Sequence, residues 1–518
     1  MARGLFRKRQ SDAKQSGTEQ QSEKLKKNLK DNLQELRSFL DNPNDLVIRE
    51  FTIGGEANVP IAIAYMDGLI DRQLFQDSIL NNLLTMSVKK QVADDKNQLF
   101  EEIYQIFISV SSVEKTNGFE DLINAILSGK TIFFLDGQET VLLFETKGGE
   151  QRSIDKAVAE TTVRGPRTAF VESLGTNLSL LRRHIQSPSL RLKTYQIGKR
   201  TKRSLVVAYI DGVVNPTLYK EVIRRIETID IDDAPESGFI EQWIEDSFLS
   251  PFPQMDNTER SDSAVSALLQ GKVVILLDGT PFVLIAPVTL GDILKSPEDY
   301  YERWLIGTLL RSLRYFAAFI ALFLPALYIA LTTMHPGLLP TDLVLSIAAS
   351  REGVPFPPIV EAFLMVITME LLQEAGIRLP TPIGPTIGIV GGLVIGEAAV
   401  SAAIVSPIMV IVIGLTAIAA FANPTFSIGI TFRIIRFGFM IAASAFGLLG
   451  IILVYIMINI HVTNLKSFGI PYSTPFSPSM VGDWKDLILR APMSMLTRRP
   501  ILLDPEDAKS ANKGVKES

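Results

Sequence analysis

Five glutamates stand in the one long stretch of this sequence that is nearly free of charge. Between Tyr315 and Leu465 only ten residues are Asp, Glu, Lys or Arg. A stretch this long and this apolar is typical of several helices that cross a bilayer, where ionised side chains are costly and usually functional. Glu361, Glu370 and Glu397 are therefore candidates for an ion pathway or gate, because carboxylates that line a polar cavity attract cations.

The alternative interpretation of these acids is structural. They would then pair with arginines of neighbouring helices, such as Arg351 or Arg378, or lie at the membrane interface. Glu374 and Arg378 stand near a helix end and fit this structural alternative. On an ideal helix Glu370 and Glu374 share a face. Both interpretations stay open for the three candidate glutamates.

A row of glycines at every fourth position predicts close packing of helices. Such a row makes a nearly flat stripe on one helix face, and membrane helices approach closely along small residues. The stripe would pack within one chain or between chains. Its members are Gly384, Gly388, Gly392 and Gly396.

The elements that position these residues are predicted to be five apolar segments. A sixth segment, Thr341–Ser350, is too short to span and is predicted to be re-entrant or interfacial. The five segments are Tyr315–Met334, Pro358–Gly376, Gly384–Ala399, Pro407–Ala422 and Phe437–His461.

The distribution of basic residues gives two conflicting indications of topology. Arg303, Arg311 and Arg314 precede the first segment, so the positive-inside rule places the first 300 residues in the cytosol. Five spans would then leave the tail outside, although its own basic residues favour the inside. One segment is re-entrant, or a further crossing lies near Thr341 or Thr425, and a cytosolic tail is favoured.

Two copies of one pattern make up the charged half of the chain. An apolar strand pattern leads into Asp67-Gly68 and then a helical pattern, and the same order recurs at Asp211-Gly212, 144 positions later. A helix end, a strand and an Asp-Gly pair recur at Asp136 and Asp278, 142 positions apart. Nearly equal offsets at two landmarks predict two related α/β subdomains.

Each copy also predicts its own local structure. The later Asp-Gly pair joins two apolar runs, which indicates a β-hairpin with a type I′ turn. The runs Ile132–Leu135 and Val141–Phe144 are nearly all apolar, as in central strands buried on both faces. Turn chemistry explains Asp67, Asp136, Asp211 and Asp278 without a carboxylate site.

Composition excludes several classes of function. The chain has 518 residues, no cysteine, three histidines and a formal net charge of −5. Thiol catalysis and thiolate metal sites are therefore absent, and nothing indicates nucleic acid as a partner. No phosphate-binding loop, nucleophile elbow or zinc-protease motif occurs, so we expect neither an enzyme nor a cofactor.

The expected organisation is an α/β soluble N-terminal region of two related subdomains, followed by an α-helical polytopic membrane domain. A polar, basic lead is expected to be disordered, although leucines at Leu25, Leu29, Leu33, Leu36 and Leu40 would line one face of a helix. The predicted domains are 1–45 (lead), 46–160 and 161–300 (subdomains), 301–465 (transmembrane domain) and 466–518 (C-terminal tail).

Several short blocks of the chain resemble the A subunit of bacterial spore germinant receptors, the GerA family. The resemblance covers about residues 45–500, and REGVPFP and EAGIRLP are its most specific blocks. Ser261 departs from the proline that the family usually has after Thr-Glu-Arg. The blocks are Val163–Arg167 (VRGPR), Glu172–Leu178 (ESLGTNL), Pro251–Gln254 (PFPQ), Thr258–Arg260 (TER), Ser346–Pro357 (SIAASREGVPFP), Glu374–Pro380 (EAGIRLP) and Ser467–Tyr472 (SFGIPY).

The resemblance implies an integral protein of the spore inner membrane that transduces nutrient sensing into ion release and germination. It implies a transporter-like B subunit and a lipoprotein C subunit as partners, and an oligomer that conducts ions. Two alternatives remain open. One is a paralogous sporulation membrane protein that amplifies germination without sensing a nutrient, and the other is a secondary transporter with a midplane site in broken helices.

Overall fold

The computed structural model describes residues 24–53, 58–86, 95–108, 112–148, 157, 160, 162–378 and 394–511. Contacts divide the chain into two compact units. The first comprises residues 1–154 with 173–194, and the second comprises residues 155–172 with 195–518.

The first unit is built on a five-stranded antiparallel sheet. Its strand order is β1-β2-β4-β5-β3, and β4 and β5 are buried along their whole length, as their apolar sequences predict. In chain order the elements are α1 (Leu29–Phe39), β1 (Leu46–Ile53), β2 (Val59–Met66), α2 (Arg72–Leu74), a π-helical turn (Phe75–Leu80), α3 (Asn81–Thr85), α4 (Lys96–Ile108), β3 (Val113–Thr116), α5 (Phe119–Leu127), β4 (Thr131–Leu135), β5 (Val141–Phe144) and α6 (Leu174–His184).

Both faces of this sheet carry a hydrophobic core. Alternate side chains of a strand point to opposite faces, so Ile132 and Phe134 join one cluster while Phe133 and Leu135 join the other. The sheet is therefore an inner layer covered by helices, which explains why its central strands contain no polar alternation.

The lead is folded over part of its length, which corrects the prediction of disorder for residues 1–45. Residues 1–23 lie outside the described residues. From Leu29 to Phe39 the chain forms α1, whose N-cap Asn28 accepts a hydrogen bond from the Lys30 amide. The helix predicted by the leucine stripe forms because the leucine side chains are buried in the hydrophobic core of the first unit. They are Leu25, Leu29, Leu33, Leu36 and Leu40.

The second sheet has the same strand order, β6-β7-β9-β10-β8, which is the arrangement that a duplication predicts. An α/β N-terminal region is thus confirmed. The elements are β6 (Leu190–Ile197), β7 (Arg203–Ile210), α7 (Pro216–Ile226), α8 (Ser237–Ile244), β8 (Asp256–Thr258), α9 (Ser261–Gln270), β9 (Val273–Leu277) and β10 (Val283–Ala286). Residues 190–286, which contain these elements, are called the second repeat below.

The hairpins that contain the later Asp-Gly pairs are present, but the prediction of a type I′ turn is wrong. β4 pairs with β5, and β9 pairs with β10, both antiparallel. Only the glycines, Gly137 and Gly279, have positive φ, at 89° and 94°. A type I′ turn needs positive φ at both central residues, so these connections are longer loops in which glycine alone adopts the left-handed conformation.

Helices dominate the rest of the second unit. Among the residues that the structure describes, Trp304–Thr333 and Ser427–Phe446 are long and apolar enough to cross a membrane, whereas three other apolar helices are shorter. The elements are α10 (Glu298–Tyr301), α11 (Trp304–Thr333), α12 (Thr341–Ser350), α13 (Pro358–Arg378), α14 (Pro407–Phe421), α15 (Phe426–Phe446), α16 (Leu448–Asn464), β11 (Lys466–Ser467) and β12 (Ile470–Pro471). Residues 394–400 are also helical.

The predicted fifth segment, Phe437–His461, is two helices rather than one, which corrects the sequence prediction. α15 ends at Phe446, Gly447 has φ 59° and ψ −137°, and α16 begins at the next residue. A residue with a side chain would adopt this backbone conformation only at a high cost in free energy. Glycine at position 447 therefore allows the chain to reverse direction between α15 and α16. α15 also begins beside Thr425, where an additional crossing was one expected solution of the topology conflict.

The tail returns to the second repeat directly after α16. The Ser467 hydroxyl donates to the Gln254 carbonyl at 2.6 Å and accepts from the Val288 amide at 3.1 Å. Farther along, the Glu506 amide donates to the Val213 carbonyl at 3.2 Å. The tail and the second repeat therefore lie at the same end of the helices, as the basic residues of the tail indicate.

Candidate functional site

Glu361 is fully buried in the first turn of α13 and is held by the start of α14. Its Oε1 accepts hydrogen bonds from the Ser406 amide, at 2.6 Å, and from the Ser406 hydroxyl. Ser406 is the N-cap of α14, and its hydroxyl also accepts from the Met409 amide. The carboxylate thus lies at a helix N-terminus, where the exposed amides and the helix dipole favour negative charge.

Arg351 supplies the positive charge beside Glu361. Its Nε lies 3.5 Å from Glu361 Oε2, and its Nη2 donates to the Phe356 carbonyl at 3.1 Å. Arg351 follows the last residue of α12, so one guanidinium fixes the REGVPFP loop and also compensates the buried carboxylate. This pair is the structural alternative that the sequence left open for Glu361.

Glu370 pairs with two arginines of α15. Glu370 Oε2 lies 3.4 Å from Arg433 Nε, and Oε1 lies 3.5 Å from Arg436 Nη2. Arg436 is buried at 3% exposure. The sequence prediction did not include this pairing, yet two arginines three positions apart in an otherwise apolar helix are a signal that a buried acid lies opposite.

The remaining predicted residues are dispersed. Glu374 and Glu397 are exposed on their helices. A Cβ at Gly396 would approach Val410 Cγ1 of α14 to 3.3 Å, so this glycine lies close to a neighbouring helix. Gly384, Gly388 and Gly392 lie outside the described residues. The structure therefore brings Glu361 and Glu370 onto one helix in separate ion pairs, and places Glu397 apart.

A second cluster of buried charges connects α10, α11 and the tail. Asp299 and Arg311 are both fully buried, and Arg311 Nε donates to Asp299 Oδ2 at 3.0 Å. Arg314 donates to the same carboxylate from one turn farther along α11. Arg311 Nη1 also donates to Asp486 Oδ1 at 2.9 Å and to the Leu487 carbonyl. We call Asp299, Arg311, Arg314 and Asp486 the junction cluster.

Lys295 extends the junction cluster into the second repeat. Its Nζ lies 3.6 Å from Asp486 Oδ2 and 3.3 Å from Asp292 Oδ1, and Lys272 donates to the other Asp292 oxygen at 2.9 Å. Burial alone would raise the pKa of Asp292, but the charges of Lys272 and Lys295 outweigh it and hold that pKa well below its usual range. Asp292 is therefore a fixed anion between two cations.

Burial raises the pKa of several acids of the second unit, among them Glu160 and Asp256. Burial, together with the charge of Asp256, raises the pKa of Glu160 to about 8, although the Thr258 hydroxyl donates to its Oε2 at 2.8 Å. Burial raises the pKa of Asp256 to about 6. Among the described residues, no group of three or more histidines or acids could hold a metal ion.

Two of the blocks that carry the resemblance, TER and VRGPR, contact each other. Arg260 of the TER block pairs with Asp262 at 2.8 Å and donates to the Pro166 carbonyl of the VRGPR block at 2.9 Å. Ser261 is fully buried in the first turn of α9, where its hydroxyl lies 3.0 Å from that of Thr168. The departure from proline is therefore accommodated by a side-chain hydrogen bond.

The acids of the first-unit turns serve the turns themselves. Asp67 accepts from Arg72 Nη2 at 2.9 Å, and Asp136 accepts from Lys96 Nζ at 3.1 Å and from the Leu29 amide. Asp67 and Asp136 thus hold neighbouring helices to their turns, and they have structural partners as turn chemistry predicts.

Comparison with known proteins gives consistent matches over nearly the whole chain. The sequence model of the family described as Bacillus/Clostridium GerA spore germination protein matches residues 34–502. Spore germination protein GerLA of Bacillus cereus is 47% identical over 484 residues, which is 93% of this chain and 97% of that protein. Spore germination protein B1 of Bacillus subtilis (strain 168) is 42% identical over 480 residues, covering 92% of this chain and 98% of that protein.

Two further relatives differ in what is known of them. The uncharacterized membrane protein YfkQ of Bacillus subtilis (strain 168) is 42% identical over 480 residues, covering 93% of this chain and 92% of that protein. The crystal structure of the N-terminal domain of the A subunit of the Bacillus megaterium spore germinant receptor GerK3 is 35% identical. It covers 51% of this chain and 97% of that chain, with a TM-score of 0.40.

Proposed function

Because the chain belongs to the GerA family of spore germination proteins, we propose that it is the A subunit of a nutrient germinant receptor in the spore inner membrane. The observation that carries this proposal is the extent of the family match, which includes both repeats and the helical region. Its role is then transduction of a nutrient signal into ion release, without catalysis.

The helical region is proposed to be a polytopic membrane domain. α11 and α15 meet the length and apolarity that a span needs, and a 42% identical relative is a membrane protein by name. The arginines that precede the apolar part of α11, and the basic tail at the same end of the helices, support a cytosolic location of the N-terminal part under the positive-inside rule.

An oligomeric cation channel is the mechanism we propose for this domain. Glu361, Glu370 and Glu397 are its candidate pathway or gate residues, with the glycine row as a packing surface. In a single chain the charges of Glu361 and Glu370 are compensated by arginines. Separation of these pairs on opening would leave carboxylates that attract cations, so the pairs themselves would act as the gate.

The partners are proposed to be a transporter-like B subunit and a lipoprotein C subunit. In this scheme a partner binds the nutrient, the repeats and helices of this chain shift, and the pore opens. The junction cluster supports such coupling because it links α11 to the tail through buried charges. Lys295 and Asp292 extend this link to Lys272 of the second repeat.

The test is ion flux through the purified chain in liposomes, with and without its partner subunits. Glu361→Gln, Glu370→Gln and Glu397→Gln should each alter cation release while assembly is retained. Glu374→Gln is the matched control, since it neutralises an acid of the same helix that is not a candidate. Unchanged flux in all three variants would rule out a pore role for these glutamates.

A second candidate function is a paralogue that amplifies germination without sensing a nutrient. The relative YfkQ keeps this candidate open, since it is 42% identical and is named as a membrane protein rather than as a spore germination protein. Adjacent genes for B and C subunits would favour the receptor, and their absence the paralogue. A secondary transporter is the third possibility, and uptake of a substrate by the purified chain would support it.

A further inference from the structure

A loop of the second repeat is fixed against the ends of two apolar helices. Ser250 Oγ lies 2.9 Å from His461 Nε2 in the last turn of α16, and Thr431 Oγ1 of α15 donates to the Pro251 carbonyl. The buried Phe252 ring stacks on His461 with ring centroids 6.1 Å apart. The loop between α8 and β8 is therefore held at one defined level of these helices.

The tip of this loop has unusual residues for its geometry. The Ser250 amide donates to the Ser247 carbonyl at 3.2 Å, so Phe248 and Leu249 are the two corner residues of a turn. Turn corners usually carry Gly, Pro, Asn, Asp or Ser. Here both side chains are apolar and lie outside the packed core, at 80% and 81% exposure. An exposed apolar pair of this kind marks a contact with something else.

The tip is presented by a rigid frame. The buried Gln254 amide closes the loop with two hydrogen bonds, since its Nε2 donates to the Ser247 carbonyl at 2.8 Å and its Oε1 accepts from the Ser247 amide at 2.9 Å. The exposure of Phe248 and Leu249 is therefore built into the loop by a dedicated side chain.

The surroundings of the tip identify its partner. The outward face of α16 next to His461 is apolar, with Ile456, Met457 and Ile460 exposed. If α16 crosses the bilayer, as in the proposed function on which this inference rests, these side chains face lipid. His461 then lies where the helix leaves the hydrocarbon, and the exposed Lys466 just beyond it lies among the headgroups.

We infer that Phe248 and Leu249 insert into the interfacial layer of the bilayer and anchor the second repeat to the membrane surface. Of the two acids beside the loop, Asp246 is compensated by Arg225, whose Nη2 lies 2.8 Å from Asp246 Oδ1. Burial raises the pKa of the other, Glu245, which favours its neutral form. Apolar and aromatic side chains at an interface bury their bodies among the upper acyl chains. The anchor fixes the second repeat at the same end of the helices as the junction cluster.

The chain lacks cysteine, so single-cysteine labelling tests the anchor directly. The full chain with Leu249→Cys is labelled with an environment-sensitive fluorophore and reconstituted in lipid vesicles that carry shallow acyl-chain nitroxide quenchers. Its emission should shift to the blue and lose most of its intensity to the quencher. Phe248→Cys provides a second labelled position if the first variant does not fold.

Two further positions calibrate the result. Ile456→Cys, on the outward face of α16, should be quenched strongly. Arg200→Cys lies in the turn between β6 and β7, at the opposite end of the sheet from Ala286, as the register of β7, β9 and β10 shows. A label at position 200 should remain in water and should not be quenched.

Each contrary outcome is distinguishable. A label at position 249 that behaves like the label at position 200 would overturn the anchor, and so would a blue shift without quenching, which indicates a second copy or another protein on the tip. Failure of the label at position 456 to be quenched would instead overturn the membrane location of α16, and the anchor with it.

Discussion

Arg311 and Asp299 are both fully buried, with Arg311 Nε 3.0 Å from Asp299 Oδ2. Neither charge could persist there alone, because the cost of removing an ion from water is several kcal/mol. The pair is sustained by Arg314 on the carboxylate side and by Asp486 on the guanidinium side. The buried charges are therefore balanced only when α10, α11 and the tail are all in place.

Loss of the Arg311 side-chain charge should destabilise the chain strongly. Arg311→Met leaves Asp299 and Asp486 with fewer partners, and breaking a buried pair costs roughly 3–5 kcal/mol. The free energy of unfolding in detergent micelles measures it. Arg164→Met is the control, because Arg164 is largely exposed and lies 3.7 Å from Glu302. Its cost should be at most about 1 kcal/mol, and equal costs for both variants would contradict the prediction.

The Arg351–Glu361 pair should show coupling in a double-mutant cycle. Arg351→Gln leaves a buried carboxylate that keeps only its Ser406 bonds, whereas the double variant with Glu361→Gln removes both charges. The double variant should therefore be more stable than the sum of the single changes by on the order of 1–3 kcal/mol. Thermal unfolding of all four chains gives the coupling energy, and additive effects would mean that the pair contributes nothing.

Gly447→Ala should disrupt the reversal between α15 and α16. A Cβ there would lie 2.4 Å from His335 Cε1 and 2.9 Å from Met334 Cβ, in a backbone conformation with φ +59°. Strain of this kind costs about 1–3 kcal/mol even before the clash. Gly414→Ala, where nothing lies within 4 Å, is the matched control. It should be neutral or stabilising by up to about 1 kcal/mol. Similar melting temperatures for both variants would argue against the reversal.

Glu160→Gln should remove a pH dependence of stability. Glu160 has a pKa of about 8 in the folded chain against an ordinary value of 4.5, so between these values the folded chain retains a proton that the unfolded chain has lost. Stability contributed by this group therefore falls as pH rises from 4.5 to about 8.

The variant should match the parent chain near about pH 4 and exceed it in stability near about pH 9 by on the order of 5 kcal/mol. Unfolding measured across this range checks the prediction, with the exposed Glu120→Gln as control. A parallel pH profile for Glu160→Gln and the parent would show that Glu160 does not titrate in this way.

Local patterns in the sequence predict the parts of the fold that local physics determines. The all-apolar strands β4 and β5, the left-handed Gly271 at the end of α9 and the leucine stripe of α1 follow from period, turn chemistry and burial. The break at Gly447 does not, because the apolar pattern continues unchanged on both sides of one glycine.

Ion pairs between residues far apart in sequence cannot be predicted from local patterns, for a different reason. Arg351 and Glu361 are ten positions apart, and their pairing was one of two open interpretations. Glu370 and Arg433 meet only because α13 and α15 come together, and Arg311 meets Asp486 from 175 positions away. Helix periodicity determines which face a residue occupies, but not which helix lies against that face.

The contacts of the tail have a consequence for the order of synthesis. The second repeat is covered at Leu269 by Arg499, whose Nε donates to the Leu269 carbonyl at 2.7 Å, and at Asn215 by the Leu503 carbonyl. The ribosome synthesises Arg499 and Leu503 more than 200 residues after the surface that they cover. At ordinary speeds of translation this delay is roughly 10–60 s. The second repeat is therefore incomplete until the tail has been synthesised, so a chain truncated after α16 should expose an unfinished repeat to cellular proteases.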